Sequence, residues 1–461
     1  MITEELPVVV IGAGPVGLAA AAHLHERRLP ALVLEAGDSV GAAVRQWGHV
    51  RLFSPWRYDV DAAARRLLDT AGWAAPDPEN LPTGAELVGD YLEPLAKLPA
   101  LAARIRYGAR VVAIGRAGMD RVRTAGREQT PFVVRLADGT ELNAGAIIDA
   151  TGTWGTPNVL GGNGLPAHGE PQAAHLISSA LPDVLGADRA EYAGRHTVVV
   201  GAGHSAANTL LALAELAGQE PGTRLTWAVR GTSIDRAVGG GDADALPGRG
   251  ELGTGLRSLV ESGRVALVTG FAVHAVRVLD GRGDDGGAGG EPGSGAVGGE
   301  PGSGAVGGEP GSGAVGGGGD DAGVEVVAAD GRTLTADLIV SATGFRPDHR
   351  IADELRLDLD PALGCTRLLA PLIDPNEHSC GTVRPHGVDE LTQPEPGYYL
   401  VGMKSYGRAP TFLLATGYEQ VRSITAALAG DGTAARAVAL DLPETGVCSA
   451  RPASTSRQGP G

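Results

Sequence analysis

Short apolar runs closed by glycine-rich or charged turns set the rhythm of this chain. Val8–Ile11 is continuously apolar, which suits a strand covered on both faces. Gly12-Ala13-Gly14-Pro15-Val16-Gly17 follows, and then small residues through Leu24 that read as a helix. Ala31–Leu34 is a second buried strand, ending at Glu35. The same plan recurs far downstream. An apolar strand from Val198 leads into Gly201-Ala202-Gly203-His204-Ser205-Ala206 and a helix, and the next strand, Leu225–Val229, ends at Arg230.

A second pattern repeats with the first. FVVRLADGTELNAGAIIDATGTW (Phe132–Trp154) and VEVVAADGRTLTADLIVSATGFR (Val324–Arg346) share one layout. Each is a strand, an Asp-Gly turn, a short strand, and an apolar strand leaving through Ala-Thr-Gly. Asp-Gly between alternating strands predicts a hairpin. Elsewhere, Pro82–Ala96 reads as a helix capped by Thr83, with Leu87, Tyr91 and Leu95 four residues apart. Gly397–Met403 reads as a buried strand, followed by a loop and a helix. Two copies of one plan predict an α/β fold with two Rossmann-like dinucleotide-binding domains.

Composition changes this picture locally. The chain has 461 residues, 43% of them hydrophobic, enough for roughly two or three domains. Part of its glycine content is concentrated in EPGSGAVGG, repeated three times from Glu291 to Gly317. One valine per repeat cannot build a core, so residues 281–319 read as a disordered expansion of the second hairpin, and 449–461 as a disordered tail. The net charge of −16, without a basic patch, argues against nucleic acid. No apolar stretch is long enough to span a membrane. The N-terminus lacks the basic region of a signal peptide. The three cysteines, Cys365, Cys380 and Cys448, form no C-x-x-C pair and suggest a reducing compartment. These features together read as a cytoplasmic protein. The oligomeric state stays open, homodimer included.

The glycine turns carry the candidate chemistry. Gly12 makes the tight turn, Gly14 lets a pyrophosphate approach the backbone, and Gly17 lets helix and strand pack closely. The helix N-terminus then offers unpaired N–H groups to the phosphates. Glu35 stands at about the 20-residue distance expected of the acid that holds a ribose hydroxyl. Gly201, Gly203, Ser205 and Ala206 form the second turn. Arg230, in place of an acid, suits a 2′-phosphate, the alternative being a solvated charge at a strand end. The first site therefore suits FAD and the second NADPH, which would let hydride pass from nicotinamide to flavin.

With these motifs on hand, the chain resembles the class B flavin-dependent monooxygenases, YUCCA-type enzymes included, within the flavoproteins that have two dinucleotide-binding domains. The resemblance covers most of residues 5–430. It rests on the first glycine turn, RLFSPW (Arg51–Trp56), Pro82–Ala96, DATGTW (Asp149–Trp154), GAGHSA (Gly201–Ala206), SATGF (Ser341–Phe345) and LVGMKSYG. It implies an NADPH domain (158–344) inserted into a discontinuous FAD domain (1–157 and 345–448). It adds Arg45, Thr151, Gly152, Gly402 and Met403 to the FAD site, and Thr343 and Gly344 to the NADPH site. The implied partners are O2 and a small soft nucleophile centred on nitrogen, sulfur or arsenic. NADPH would reduce the flavin, O2 would add at C4a to give a peroxyflavin, and NADP+ would shield it. The family's F-x-G-x-x-x-H motif is not intact: GLPAHGEPQAAHLISS offers His168 and His175 without the phenylalanine. A flavin reductase or oxidase, or a redox-sensing flavoprotein, therefore remains open. His378, Cys380 and His386 crowd one segment with Asp374 and Glu377 nearby, but no paired-cysteine spacing supports a metal site. Cys380 and His378 are the side-chain candidates near the chemistry. A weaker resemblance to arsenic-associated flavin monooxygenases would make Cys380 and Cys448 thiolates for a soft ligand.

Overall fold

The computed structural model describes residues 6–239, 244, 246–279, 323–377, 384–410 and 412–440. The glycine-rich repeat, His378, Cys380, Cys448 and the 449–461 tail lie outside the described residues.

Two five-stranded sheets, parallel throughout, organise the chain. The first is assembled from β1 (Val8–Ile11), β2 (Ala31–Leu34), β3 (Ile105–Arg106), a strand Ala146–Asp149 and a strand Tyr398–Leu400. Between β3 and Ala146 lies an antiparallel meander of β4 (Val111–Arg116), β5 (Phe132–Leu136) and β6 (Glu141–Ala144). Ala146–Asp149 is then β7, and β7 pairs with β1 on one side and with Tyr398–Leu400 on the other. The second sheet contains β8 (Ile177–Ser178), β9 (His196–Val200), β10 (Arg224–Ala228), β11 (Ala266–Val268) and a strand Leu338–Ser341. It has its own meander of β12 (Val273–Leu279), β13 (Gly323–Ala328) and β14 (Thr333–Ala336), after which Leu338–Ser341 is β15 and Tyr398–Leu400 is β16. Both meanders have three strands where the hairpin pattern showed two. β4 and β12 precede their hairpins at a distance in sequence, so no local turn announces them.

The two units repeat each other to the level of single hydrogen bonds. The Gly139 N–H bonds to the Leu136 carbonyl and the Gly331 N–H to the Ala328 carbonyl, both at 3.0 Å. Both turn glycines have positive φ, 85° and 87°, a conformation open to glycine at little cost. Asp138 and Asp330 each cap the backbone N–H two residues on.

Helix Pro15–Glu26 follows β1 with Pro15 in its first turn. Its residues Leu18–Ala22 are fully buried, four of them alanines that let the helix lie close to the sheet. Helix His204–Gln219 plays the same part beside β9. Thr83 caps its helix through a full capping box with Glu86. The segment expected as one strand from Gly397 to Met403 is β16 followed by a 3-10 turn, Gly402–Tyr406, because Gly402 takes φ of 66° and ends the extended run.

The chain crosses between the units twice, and the crossings pair. The Asn158 N–H bonds to the Gly344 carbonyl, and the Arg346 N–H to the Thr156 carbonyl. Trp154 and Phe345, just past the two Ala-Thr-Gly exits, lie 4.9 Å apart between ring centroids.

Candidate functional site

The glycines of the two turns divide by physical cause. A methyl group on Gly12 would sit 2.7 Å from the Ala150 carbonyl oxygen, and φ there is 102°. On Gly201 it would sit 2.0 Å from the Ala342 oxygen, with φ of 137°. Each turn thus crosses directly over the Ala-Thr-Gly exit of its own unit, which explains why turn and exit recur together. On Gly17 the methyl would lie 1.9 Å from the Gly12 oxygen, so close helix–strand packing forbids it. Ala206, at the equivalent place, is fully buried. Gly14 and Gly203 differ from all of these. Both are helix N-caps with ordinary negative φ, and a methyl on either meets no atom of the described residues within 4 Å. Space kept open at a helix N-terminus, where the first N–H groups lack intrahelical partners, fits a phosphate group.

The strand ends match their charges to this arrangement. Glu35 is nearly buried, with one carboxylate oxygen accepting from the Ala13 N–H at 2.6 Å and the other from the Gly37 N–H at 2.8 Å. Those bonds fix the carboxylate beside the first turn and leave lone pairs for a hydroxyl donor. Arg230 stays exposed beyond β10, one N–H donating to the Gly162 carbonyl at 2.9 Å. Its other N–H groups have no partner among the described residues. Ser205 lies in the first turn of its helix. Thr343 donates to the Asn158 carbonyl, while Asn158 donates back to the Thr343 carbonyl. This exchange holds the Thr343–Gly344 exit against the first crossing.

The remaining first-site positions spread further. Arg45 turns outward to Glu93 at 2.6 Å and also donates to the Val40 carbonyl. Thr151 and Gly152 stand at the β7 exit, and Gly402 and Met403 begin the 3-10 turn after β16. The Gly402 N–H bonds to Gln420 Oε1, whose amide nitrogen reaches both Ser405 and His386 Nε2. His386 Nδ1 donates to the Arg384 carbonyl, so both ring nitrogens are engaged within the protein. His168 joins the edge of β12 beside Ala275, its N–H donating to the His274 carbonyl and its carbonyl accepting from the Val276 N–H, and its ring meets His274 edge-on. His175 lies in a short 3-10 turn before β8. Cys365 is buried, and burial pushes its thiol up to about 12, too high for a ready thiolate.

One side chain that the sequence reading passed over lies at the junction of the first-site segments. Lys404 is buried with its ammonium 2.7 Å from Asp149 Oδ2 and 3.1 Å from Thr151 Oγ1. The only signal in the sequence is a lysine set inside the apolar run YYLVGMKSY. Beyond this cluster, the two units meet where Phe53 packs on His204 at 4.9 Å. A cavity of about 340 Å³ opens along that seam, lined by His49, Arg51, Leu181, Val184, Asn208 and Ala212.

Comparison with known proteins gives this arrangement its class. Residues 9–240, half of the chain, match the family described as pyridine nucleotide-disulphide oxidoreductase, and the chain belongs to that family. The thiamine thiazole synthase of Archaeoglobus fulgidus is 38% identical over 108 residues, a match spanning 23% of this chain and 37% of that protein. Among solved structures, bacillithiol disulfide reductase Bdr (YpdA) of Bacillus cereus is 17% identical with a TM-score of 0.59, covering 92% of this chain and 99% of that one. DfoA of Erwinia amylovora, a cadaverine monooxygenase bound to FAD, is 14% identical with a TM-score of 0.58, covering 95% and 97%. A variant of a flavin monooxygenase from Stenotrophomonas maltophilia is 22% identical with a TM-score of 0.54, covering 92% and 99%. At these identities the likeness is one of fold. The fold is shared by disulfide reductases and monooxygenases, so it is broader than the class B resemblance.

Proposed function

We propose that the protein is an NADPH-dependent FAD monooxygenase of a small soft nucleophile, a nitrogen, sulfur or arsenic-type centre. The observation that carries the reading is the pair of glycine turns, built on one plan, open over Gly14 and Gly203, and ended by opposite charges at Glu35 and Arg230. The first-site residues fit FAD. The amides of the Gly12–Gly17 turn and the dipole of helix Pro15–Glu26 would hold the pyrophosphate, and Glu35 would accept from the adenosine ribose. The second site fits NADPH, with the Gly203 helix end toward the pyrophosphate and Arg230 toward the 2′-phosphate. Bound flavin would supply the hydride and oxygen chemistry; the protein's part is to orient the two cofactors and to limit water. The balanced reaction takes NADPH, O2, a proton and the nucleophile to NADP+, water and the oxygenated product. Oxygenation is favoured over disulfide exchange because three cysteines this widely spaced provide no C-x-x-C pair.

The test is a panel of soft nucleophiles with NADPH and ¹⁸O2. The expected result is NADPH consumption coupled to product carrying one labelled oxygen. Peroxide formed in stoichiometric yield whatever substrate is present would instead establish a reductase or oxidase. That second reading draws on His168, whose backbone is paired into the meander in the stretch where the broken F-x-G-x-x-x-H motif lies. Arg230→Ala should erase most of the preference for NADPH over NADH. A charge-assisted contact of about 1.5–3 kcal/mol corresponds to about 10- to 150-fold.

A further inference from the structure

We propose that Lys404 is a positioning residue for the flavin, locking the β7 exit and the turn after β16 into one rigid wall of the first site. The inference rests on the FAD reading of that site.

Two distant stretches of chain, the β7 exit and β16 with its following turn, meet in this cluster. Asp149 ends β7 and is fully buried; Tyr398, also fully buried, begins β16; Lys404 lies in the turn that follows. Asp149 Oδ2 accepts from the Tyr398 hydroxyl at 2.8 Å and from the Lys404 ammonium at 2.7 Å. Asp149 Oδ1 accepts from the Thr151 hydroxyl at 2.7 Å and from the Thr151 N–H at 3.2 Å. The Thr151 hydroxyl in turn accepts from Lys404. Its one proton goes to Asp149 and a lone pair to Lys404, so its rotamer is set from both sides. The ammonium thus ties the exit that carries Thr151 and Gly152 to the turn that carries Gly402 and Met403. These are the positions that the resemblance assigns to FAD.

A buried lysine is costly, and a structural need alone could be met by apolar packing. This one keeps a donor in reserve. Two of its three N–H groups are used, and the third has no partner among the described residues. A second orphan stands in the same electrostatic neighbourhood. His349 Nε2 donates to the Gly364 carbonyl, and its buried Nδ1 has no partner among the described residues. Burial, followed by the Lys404 charge, holds the His349 ring below the usual imidazole range, so it is neutral and Nδ1 is a bare acceptor. An unused donor and an unused acceptor, beside two cofactor-facing backbone segments, suit a polar molecule that the protein alone does not contain.

The test uses full-length protein freed of flavin, titrated with FAD and followed by flavin fluorescence and by the visible band of the bound form. The proteins are wild type, Lys404→Met, Lys404→Arg, and the Asp149→Asn/Lys404→Met double variant. Thermal unfolding without FAD is measured for each, so a general loss of stability is seen separately. Lys404→Met should bind FAD at least tenfold more weakly and shift the visible band, while Lys404→Arg recovers most of the affinity. The double variant leaves no charge unpaired, so it folds even if Lys404→Met does not. It should remain weak, because nothing then joins the two segments. Wild-type affinity in the double variant would mean that Lys404 only neutralises Asp149, and would overturn the proposal. So would an unchanged affinity and spectrum in Lys404→Met. Failure of the wild-type protein to bind FAD would overturn the underlying reading instead, and it shows before any variant is made.

Discussion

Gly14 and Gly17 stand three residues apart and are glycine for different reasons. Gly17 is required by the protein itself, since any side chain collides with the Gly12 carbonyl. Gly14 is not, having free space and an ordinary backbone. Gly14→Val should therefore fold with near wild-type melting but purify without flavin, whereas Gly17→Val should fail to fold. Yellow Gly14→Val protein would defeat the pyrophosphate assignment. Asp59 carries a different prediction. It is fully buried, with one oxygen accepting from Ser54 at 2.7 Å and the other without a partner among the described residues. Burial raises its carboxyl to about 8 from an ordinary value of 3.8, against the opposing pull of the Ser54 hydroxyl. A raised folded-state value means the stabilising contribution is full below about 4 and is lost as pH rises toward 8. Wild-type melting temperature should fall relative to Asp59→Asn across that window. Parallel curves for the two proteins would show that Asp59 does not titrate there.

Among the elements, the second meander shows where the chain tolerates length. β12 and β13 pair through to Leu279 opposite Gly323, so the chain leaves and re-enters the sheet at one point. A short Asn-Gly turn could join the strands there. Loop closure costs only about 0.6 kcal/mol per doubling of length, so the long connection costs about 2–3 kcal/mol against a two-residue turn and its removal relieves that cost. Replacing 281–321 by such a turn should leave flavin content and NADPH oxidation within about twofold of wild type. A large loss of either would mean that the repeats have a docking site.

Across the whole molecule, the returning C-terminal stretch is tied to the first meander by buried charge. Glu395 is fully buried and accepts from Arg116 at 2.7 Å and from Arg127 at 2.8 Å, while the Arg356 N–H reaches the same carboxylate. Arg116 also lies over the Phe132 ring at 3.6 Å. Burial disfavours the Glu395 charge, but its two guanidinium partners outweigh that and hold the carboxyl below the usual range. Glu395→Ala would leave two buried guanidiniums facing each other. It should cost about 3–5 kcal/mol in urea unfolding. A loss below 1 kcal/mol would show that the segments are held by apolar packing instead.

Features set by local chemistry are legible in the order of residues alone. Glycine at positions 12 and 201, the Asp-Gly turns, the Ala-Thr-Gly exits, and the opposite charges of Glu35 and Arg230 are each written within a few residues. Together they foretold two parallel-sheet units, and they carry the expectation of a dinucleotide at each. Features that depend on distant residues meeting emerge with the folded chain. β4 and β12 join hairpins that do not announce them. Lys404 meets Asp149 across 255 positions, and Glu395 meets Arg116 across 279. A lone lysine or glutamate in a sequence reads as a solvated surface charge, because nothing near it in the chain shows that it will be buried. Its partner is chosen by the path of the sheets, and that path exists only once β16 has joined β7 from the far end of the chain.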